Sequence, residues 1–311
     1  MAVNNSLQKS QKRLGIGSYL TGDAVKQRIN QVIGGKDGQR FISAVVSAVQ
    51  TNPGLQECTN QSILSAALLG ESLKLSPSPQ LGQYYMVPFN DRERGKVAQF
   101  QLGYKGYIQL AIRSGQYKKL NVLAIKDGEL IKFDPLNEEI EVRLIEDEEA
   151  REAAETIGYY AMFEYTNGFR KAIYWSKKKM LAHADKYSQA FSANGGTVKT
   201  RYGEKTKVSY SDYVAGNFDP KDAWMYSSFW YKDFDGMAYK TMLRQLISKW
   251  GIMSIDMASA IDADMAVIND DGTKEYVDND PDVIDMEPVS EPVQEAPVED
   301  IQSALFGGDG Q

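Results

Sequence analysis

Residues 158–188, GYYAMFEYTNGFRKAIYWSKKKMLAHADKYS, decide the fold class. GYYAMFEY (158–165) and FRKAIYW (169–175) are rich in aromatic residues that suit a pleated, half-buried surface, and Asn167-Gly168 between them is hairpin turn chemistry. Ser176 can cap the basic run behind it, so KKKMLAHADKYS reads as a helix. A hairpin that runs straight into a capped helix predicts an α+β chain with an antiparallel sheet. Just upstream, NVLAI (121–125), Asp127-Gly128, LIKF (130–133) and EIEVRLI (139–145) repeat the period of two and the turn chemistry. The whole stretch from Asn121 to Trp175 therefore predicts one antiparallel sheet of about five strands.

Working outward, QYYMVPF (83–89) and VAQFQL (97–102) flank the polar loop NDRERGK and predict a second hairpin, after which GYKGYIQLAIRSG (103–115) reads as a helix. FISAVVSAVQ (41–50) is apolar at helical spacing and stops at Asn52-Pro53. Thr59 or Asn60 can cap a further helix, SILSAALLGESLKL (62–75), which ends at Ser76-Pro77. The first 39 residues are polar and Gly-punctuated, predicting a loosely ordered arm with one helix near Ala24 to Val32. Residues 188–222 lack periodicity and read as a long loop or mobile lobe, and GMAYKTMLRQLISKWGIM (236–253) as a long amphipathic helix. Three regions follow: an arm (1–39), a packed domain (40–268) and a disordered acidic tail (269–311).

Charge is segregated. The net of -7 hides a tail with 13 Asp or Glu and one Lys, so residues 1–268 carry +5. Residues 96–126 hold six Lys or Arg and no acid, and residues 170–207 hold ten against two acids, whereas 127–155 hold twelve acids against three bases. The body is therefore the part to read for a polyanion partner. Cys58 excludes an internal disulfide and, with His183 as the one histidine, leaves no Cys/His zinc set. Cys58, just ahead of an apolar helix, reads as a buried structural thiol, and His183 as a structural residue or a phosphate contact. No apolar run is long enough for a membrane span and no signal-peptide core follows the start, which predicts a cytoplasmic protein.

On the helix after Gly103, Lys105, Gln109 and Arg113 recur every fourth residue, and Lys118 and Lys119 extend the positive region. Lys240 and Arg244 form a similar pair on the long helix. Lys177, Lys178 and Lys179 follow Tyr174 and Trp175, and Lys199, Arg201, Lys205 and Lys207 alternate with Tyr202 and Tyr210. Single-strand binding uses this mixture, since cations neutralise phosphate and aromatic faces stack on unpaired bases. Enzyme signals are weak: there is no G-x-x-x-x-G-K-[ST], and GIGSYLTG lacks the preceding strand of a dinucleotide site. Asp134, Glu139, Glu141, Glu164 and Asp185 are the carboxylates that a metal nuclease would have to bring together.

Three blocks resemble the RecT family of phage single-strand annealing proteins: SILSAALLGESLKLSPSPQLGQYYMVPF (62–89), QFQLGYKGYIQLAIRSG (99–115) and FWYKDFDGMAYKTMLRQLISKW (229–250). The likeness covers about residues 40–255. It departs where members often carry Pro-Trp before the Asp of the last block and this chain has Trp230-Tyr231-Lys232. The resemblance implies an α+β fold assembled into rings or helical filaments, with DNA in a positive groove and annealing without ATP. It implies magnesium assistance without an assignable ligand set, and partnership with a phage exonuclease and host single-strand-binding protein. Tyr104, Lys105, Arg113, Lys240 and Arg244 carry over as first DNA contacts. With the residues above, the candidate set is Tyr104, Lys105, Tyr107, Gln109, Arg113, Lys118, Lys119, Lys177, Lys178, Lys179, Arg201, Lys205, Lys207, Lys240 and Arg244. The competing readings are a protective single-strand binder and a metal-dependent exonuclease.

Overall fold

The computed structural model describes residues 14–91, 94–188, 190–200, 203–269 and 271–276. It opens with helices α1 (Ile16–Leu20), α2 (Asp23–Ile33), α3 (Gly35–Thr51), α4 (Pro53–Gln56) and α5 (Asn60–Ser72). Proline fixes the break after α3, and the Asn52 side chain accepts the Gly54 N–H to start α4. Thr59 caps α5 by accepting the N–H of Ser62, as the sequence predicts. Packing begins ahead of Arg40: Leu20 and Ile29 are fully buried against α3 and α5 core residues, so the arm contributes to the core. Cys58 is buried.

β1 (Tyr84–Asp91) and β2 (Gly95–Leu102) form the expected hairpin, with Tyr84 opposite Leu102, and α6 (Tyr104–Ser114) follows. Next come β3 (Tyr117–Lys126), β4 (Leu130–Asp134), β5 (Glu139–Val142), α7 (Glu148–Ala153), β6 (Thr156–Tyr165), β7 (Arg170–Ser176) and α8 (Lys177–Tyr187). All five expected strands are present, but in two sheets rather than one. β3, β6 and β7 form an antiparallel sheet in the order β3-β6-β7, while β4 and β5 make a separate ribbon. The ribbon has its own register irregularity, between Leu130 and Lys132. The β6–β7 turn spans Thr166, Asn167 and Gly168: Tyr165 N–H donates to Phe169 O at 2.8 Å, and Gly168 takes a φ of +88° that a side chain would resist. Ser176 caps α8 through the N–H of Lys179.

Residues 188–222 are not the expected loop. They hold β8 (Gly196–Thr200), β9 (Gly203–Lys207), α9 (Tyr210–Val214) and the start of a 3-10 helix, Pro220–Tyr226. Packed rings anchor them: Phe191 lies 4.8 Å from Tyr231, and Tyr213 lies 4.9 Å from Tyr226 and 5.0 Å from Tyr231. Each ring buries a large area singly, so no sequence period announces the arrangement. The chain then forms α10 (Phe229–Lys232), α11 (Phe234–Trp250), α12 (Ile255–Ala263), β10 (Ala266–Ile268) and β11 (Lys274–Tyr276). β10 pairs with β2 and β11 with β10, giving a sheet in the order β1-β2-β10-β11. Residues 271–276, grouped with the acidic tail on charge, therefore belong to this sheet and its turn, and residues 277–311 lie outside the described residues.

Two hydrophobic cores meet on α11. Its Leu243 and Ile247 join the core under α3, α5, α6 and the four-stranded sheet, while its Ala238, Met242 and Leu246 join the aromatic core under β3-β6-β7 and α8. A helix flanked by two cores is buried on most of its circumference, Lys240, Thr241 and Gln245 included, so the polar side of this amphipathic helix is largely enclosed. No helix among the described residues is long and apolar enough to cross a membrane.

Candidate nucleic-acid interface

Glycine sets the position of α6. A Cβ on Gly103 would lie 2.2 Å from Gly82 O, and one on Gly106 would lie 2.1 Å from Gln83 O, so only glycine lets the first turn rest on the backbone of residues 82–83. With that face fixed, Tyr107, Leu110 and Ala111 turn into the core and Lys105, Gln109 and Arg113 turn out. The exposed stripe is the one predicted from spacing. Tyr107 is a correction: it is fully buried, because it shares the helical phase of Leu110 and Ala111. Tyr104 is half-buried with its ring 5.5 Å from that of Tyr239. Arg113 Nη2 donates to Leu73 O at 2.6 Å, which brings the stripe beside exposed Lys74. Sequence reading passed over Lys74, although its place between two leucines in Leu73-Lys74-Leu75 was a usable signal.

α6 ends at Gly115 in the left-handed conformation and the chain turns directly into β3. Lys118 and Lys119 are both exposed, and both reach Glu164 on β6, at 2.6 Å and 3.3 Å. Consecutive strand residues ordinarily point to opposite faces, and here a register shift between Tyr117 and Lys119 allows both to face one carboxylate. The two ammonium groups hold the Glu164 carboxyl below the usual carboxylate range. The trio keeps a net positive charge.

The α8 lysines lie near the opposite end of the sheet. Ser176 pairs with Gly158, whereas Lys119 pairs with Glu164, six residues and about 20 Å further along β6. Lys177 bonds Glu155 at 3.1 Å, Lys178 is exposed, and the Lys179 ammonium sits 4.2 Å over the Trp175 ring. Partial burial, then the charge of Lys249, lowers the pKa of Lys179. The His183 ring packs against Trp175 and Tyr187, at 5.4 and 4.5 Å between centroids.

Three expected surface cations are not at the surface. Lys207 is buried, donates to Ala190 O at 2.8 Å and has its pKa lowered by desolvation. Lys240 is buried and bonds Asp264 Oδ1 at 2.9 Å, and Arg244 bonds Asp264 Oδ2 at 3.0 Å with its side chain 13% exposed. Asp264, fully enclosed, also accepts the N–H of Leu102 at 2.8 Å. Lys205 is exposed but bonds Asp222, and Arg201 lies outside the described residues. The suggested carboxylates do not form a metal site. Glu164 faces Lys118 and Lys119, Glu139 bonds Lys132, Asp134 takes Asn137, and Asp185 accepts the N–H of Ala193. Among the described residues no group of three or more His, Cys, Asp or Glu is placed to hold a metal ion. These residues do not fit a magnesium centre.

What remains is an exposed cationic stripe on α6 and β3, in a stretch of chain without Asp or Glu, on an α+β scaffold. The model of the RecT family matches residues 39–282. The chain belongs to the RecT family. That match extends past the resemblance read over residues 40–255 and takes in β10 and β11. The chain is 36% identical over 308 residues, 95% of its length and 90% of the other's, to a protein of Bacillus subtilis (strain 168) named "Uncharacterized protein YqaK". It is 28% identical over 233 residues, 73% of its length and 71% of the other's, to Protein RecT of Escherichia coli (strain K12). RecT-family membership puts it among the single-strand annealing proteins of DNA recombination.

Proposed function

We propose that this protein binds single-stranded DNA through its phosphates along Lys105, Gln109, Arg113, Lys118 and Lys119, in an oligomer, and pairs complementary strands without ATP. The observation that carries the reading is the α6 stripe, exposed in a stretch, residues 96–126, with six Lys or Arg and no acid. Two strands repel as they approach. Cations repeated through successive subunits neutralise that repulsion, and contacts confined to phosphate leave base edges free to test one another. Register is then found by base pairing, and no nucleotide needs hydrolysis. An exonuclease that exposes single strands supplies the substrate, and a host single-strand-binding protein is the competitor to displace.

Phosphate-dominated binding has a measurable form. The affinity of the full chain for oligothymidylate and for a mixed-sequence strand should be similar, and should fall steeply with salt. Lys105→Ala should weaken both about equally and reduce the slope of log K against log salt by roughly one counterion. A flat salt titration, or a Lys105→Ala variant with the wild-type slope, overturns the stripe as the DNA contact.

A further inference from the structure

The corner where α6 meets β3 carries a second feature that phosphate binding does not use. Tyr117 and Tyr165 stand side by side on β3 and β6, rings 5.1 Å apart. Their hydroxyls reach the chain leaving α11: Tyr117 donates to Ile252 O at 3.1 Å and Tyr165 to Trp250 O at 3.2 Å. Trp250 is thereby fixed near the β6–β7 turn, where Phe169 lies over Tyr165 with centroids 5.8 Å apart and planes 23° from parallel. Each outer ring has one face backed by protein, Phe169 by Tyr165 and Trp250 by the Lys171 ammonium 3.7 Å from its centroid. Yet Phe169 is 47% and Trp250 49% exposed. Half-exposed, each ring keeps part of its apolar surface open to solvent beside the face that the protein covers.

The surroundings say what would cover that open surface. Lys171 lies over Trp250 and exposed Lys249 precedes it, while exposed Lys118 and Lys119 stand at the same end of the sheet on its other face, with Glu164. The nearby carboxylates are engaged, Glu164 by Lys118 and Lys119, and Glu138 by Lys171. Open aromatic surface near cations matches a ligand that is anionic along one edge and flat and apolar along the other, which is unpaired nucleic acid. The corner also follows α6 without a break, so a strand whose phosphates track Lys105 and Arg113 is brought toward it.

We propose that Phe169 and Trp250 form a base-stacking platform for single-stranded DNA. The proposal rests on the α6 stripe as the phosphate contact and adds what that stripe lacks, a surface that recognises bases as unpaired. Stacking on one ring changes affinity by about tenfold or more, is indifferent to sequence and involves no counterion release. An abasic oligonucleotide keeps the phosphates and removes the stacking partner, so it separates the platform from the stripe.

In the full chain, Phe169→Ala and Trp250→Ala should each bind oligothymidylate about tenfold more weakly, with an unchanged salt slope and unchanged affinity for an abasic strand of equal length. Trp250→Phe should restore most of the loss, and oligothymidylate should quench less tryptophan fluorescence in Trp250→Phe than in wild type. Lys105→Ala should weaken both ligands alike. The platform is overturned if both alanine variants keep wild-type oligothymidylate affinity, if they lose both ligands equally, or if they change only the sedimentation of the oligomer, which would make the patch a subunit contact. A wild-type chain that binds neither oligonucleotide would overturn the stripe, and the platform with it.

Discussion

Asp264 shows how one carboxylate decides what two cations do. Fully enclosed, it bonds Lys240, Arg244 and the N–H of Leu102, and so ties α11 to β2 and to the α12–β10 junction. Removing one partner of a buried pair leaves uncompensated charge in the interior, which costs about 3–5 kcal/mol. Asp264→Ala is therefore expected to lose about that much stability in urea unfolding, whereas replacing Asp264 and Lys240 together by Leu and Met should lose less than the sum of the single changes. Additive losses, or a near-zero effect of Asp264→Ala, would contradict the clamp. The Lys240–Arg244 spacing was readable in the sequence, but its meaning depended on a residue 20 positions beyond Arg244, supplied by tertiary packing. Tyr107 differs, since the helical phase that placed Leu110 and Ala111 in the core already placed it there too. Lys105, Gln109 and Arg113 were legible because a helix with one core leaves its other stripe to water.

At the scale of elements, Glu129 holds the acidic region together. It is fully enclosed, accepts the N–H groups of Lys126 at 2.8 Å and Ile145 at 3.2 Å, and takes Arg151 Nε at 2.6 Å. Burial by itself would raise its pKa, but the Arg151 hydrogen bond and the two backbone donors outweigh it, and the carboxyl sits below its ordinary 4.5. The sign follows: a lowered pKa means that the fold favours the carboxylate, so this contribution is present above about pH 4.5 and is lost as pH falls through the lowered value. Amide exchange, corrected for its intrinsic pH dependence, should show residues 127–155 losing protection on going from neutral pH to a pH well below about 4.5, before β6 and β7 do. Glu129→Gln should be poorly protected at both pH values, and equal protection in wild type and Glu129→Gln would remove the staple. Local signals made most elements readable: the Thr59 and Ser176 caps, the Asn167-Gly168 turn and the two hairpins. Sheet membership was not, because β4 and β5 have the same alternation whether they join β3 or leave it. The segment 188–222 was also missed, since its order comes from rings such as Phe191 and Tyr213 that meet residues distant in the sequence.

For the whole molecule, the charge asymmetry has its own consequence. Residues 277–311 carry ten Asp or Glu and no Lys or Arg, tethered to a body that presents a cationic stripe. A tethered polyanion competes with DNA phosphate at an effective concentration on the order of millimolar. Truncation after Tyr276, which keeps β11, is expected to tighten DNA binding at low salt, with the gap closing as salt rises; superimposable titrations would leave the tail another role. The central claim concerns strand pairing itself. A protective binder would bury bases and slow annealing, whereas a cationic stripe that leaves base edges free speeds it, so the sign of one rate separates them. Two complementary oligonucleotides, end-labelled as a fluorophore and quencher pair, should anneal faster with the full chain than alone, with no nucleotide triphosphate present and with a smaller gain for Lys105→Ala. Slower annealing at every ratio of protein to nucleotide, or acceleration only when ATP is added, would contradict the account.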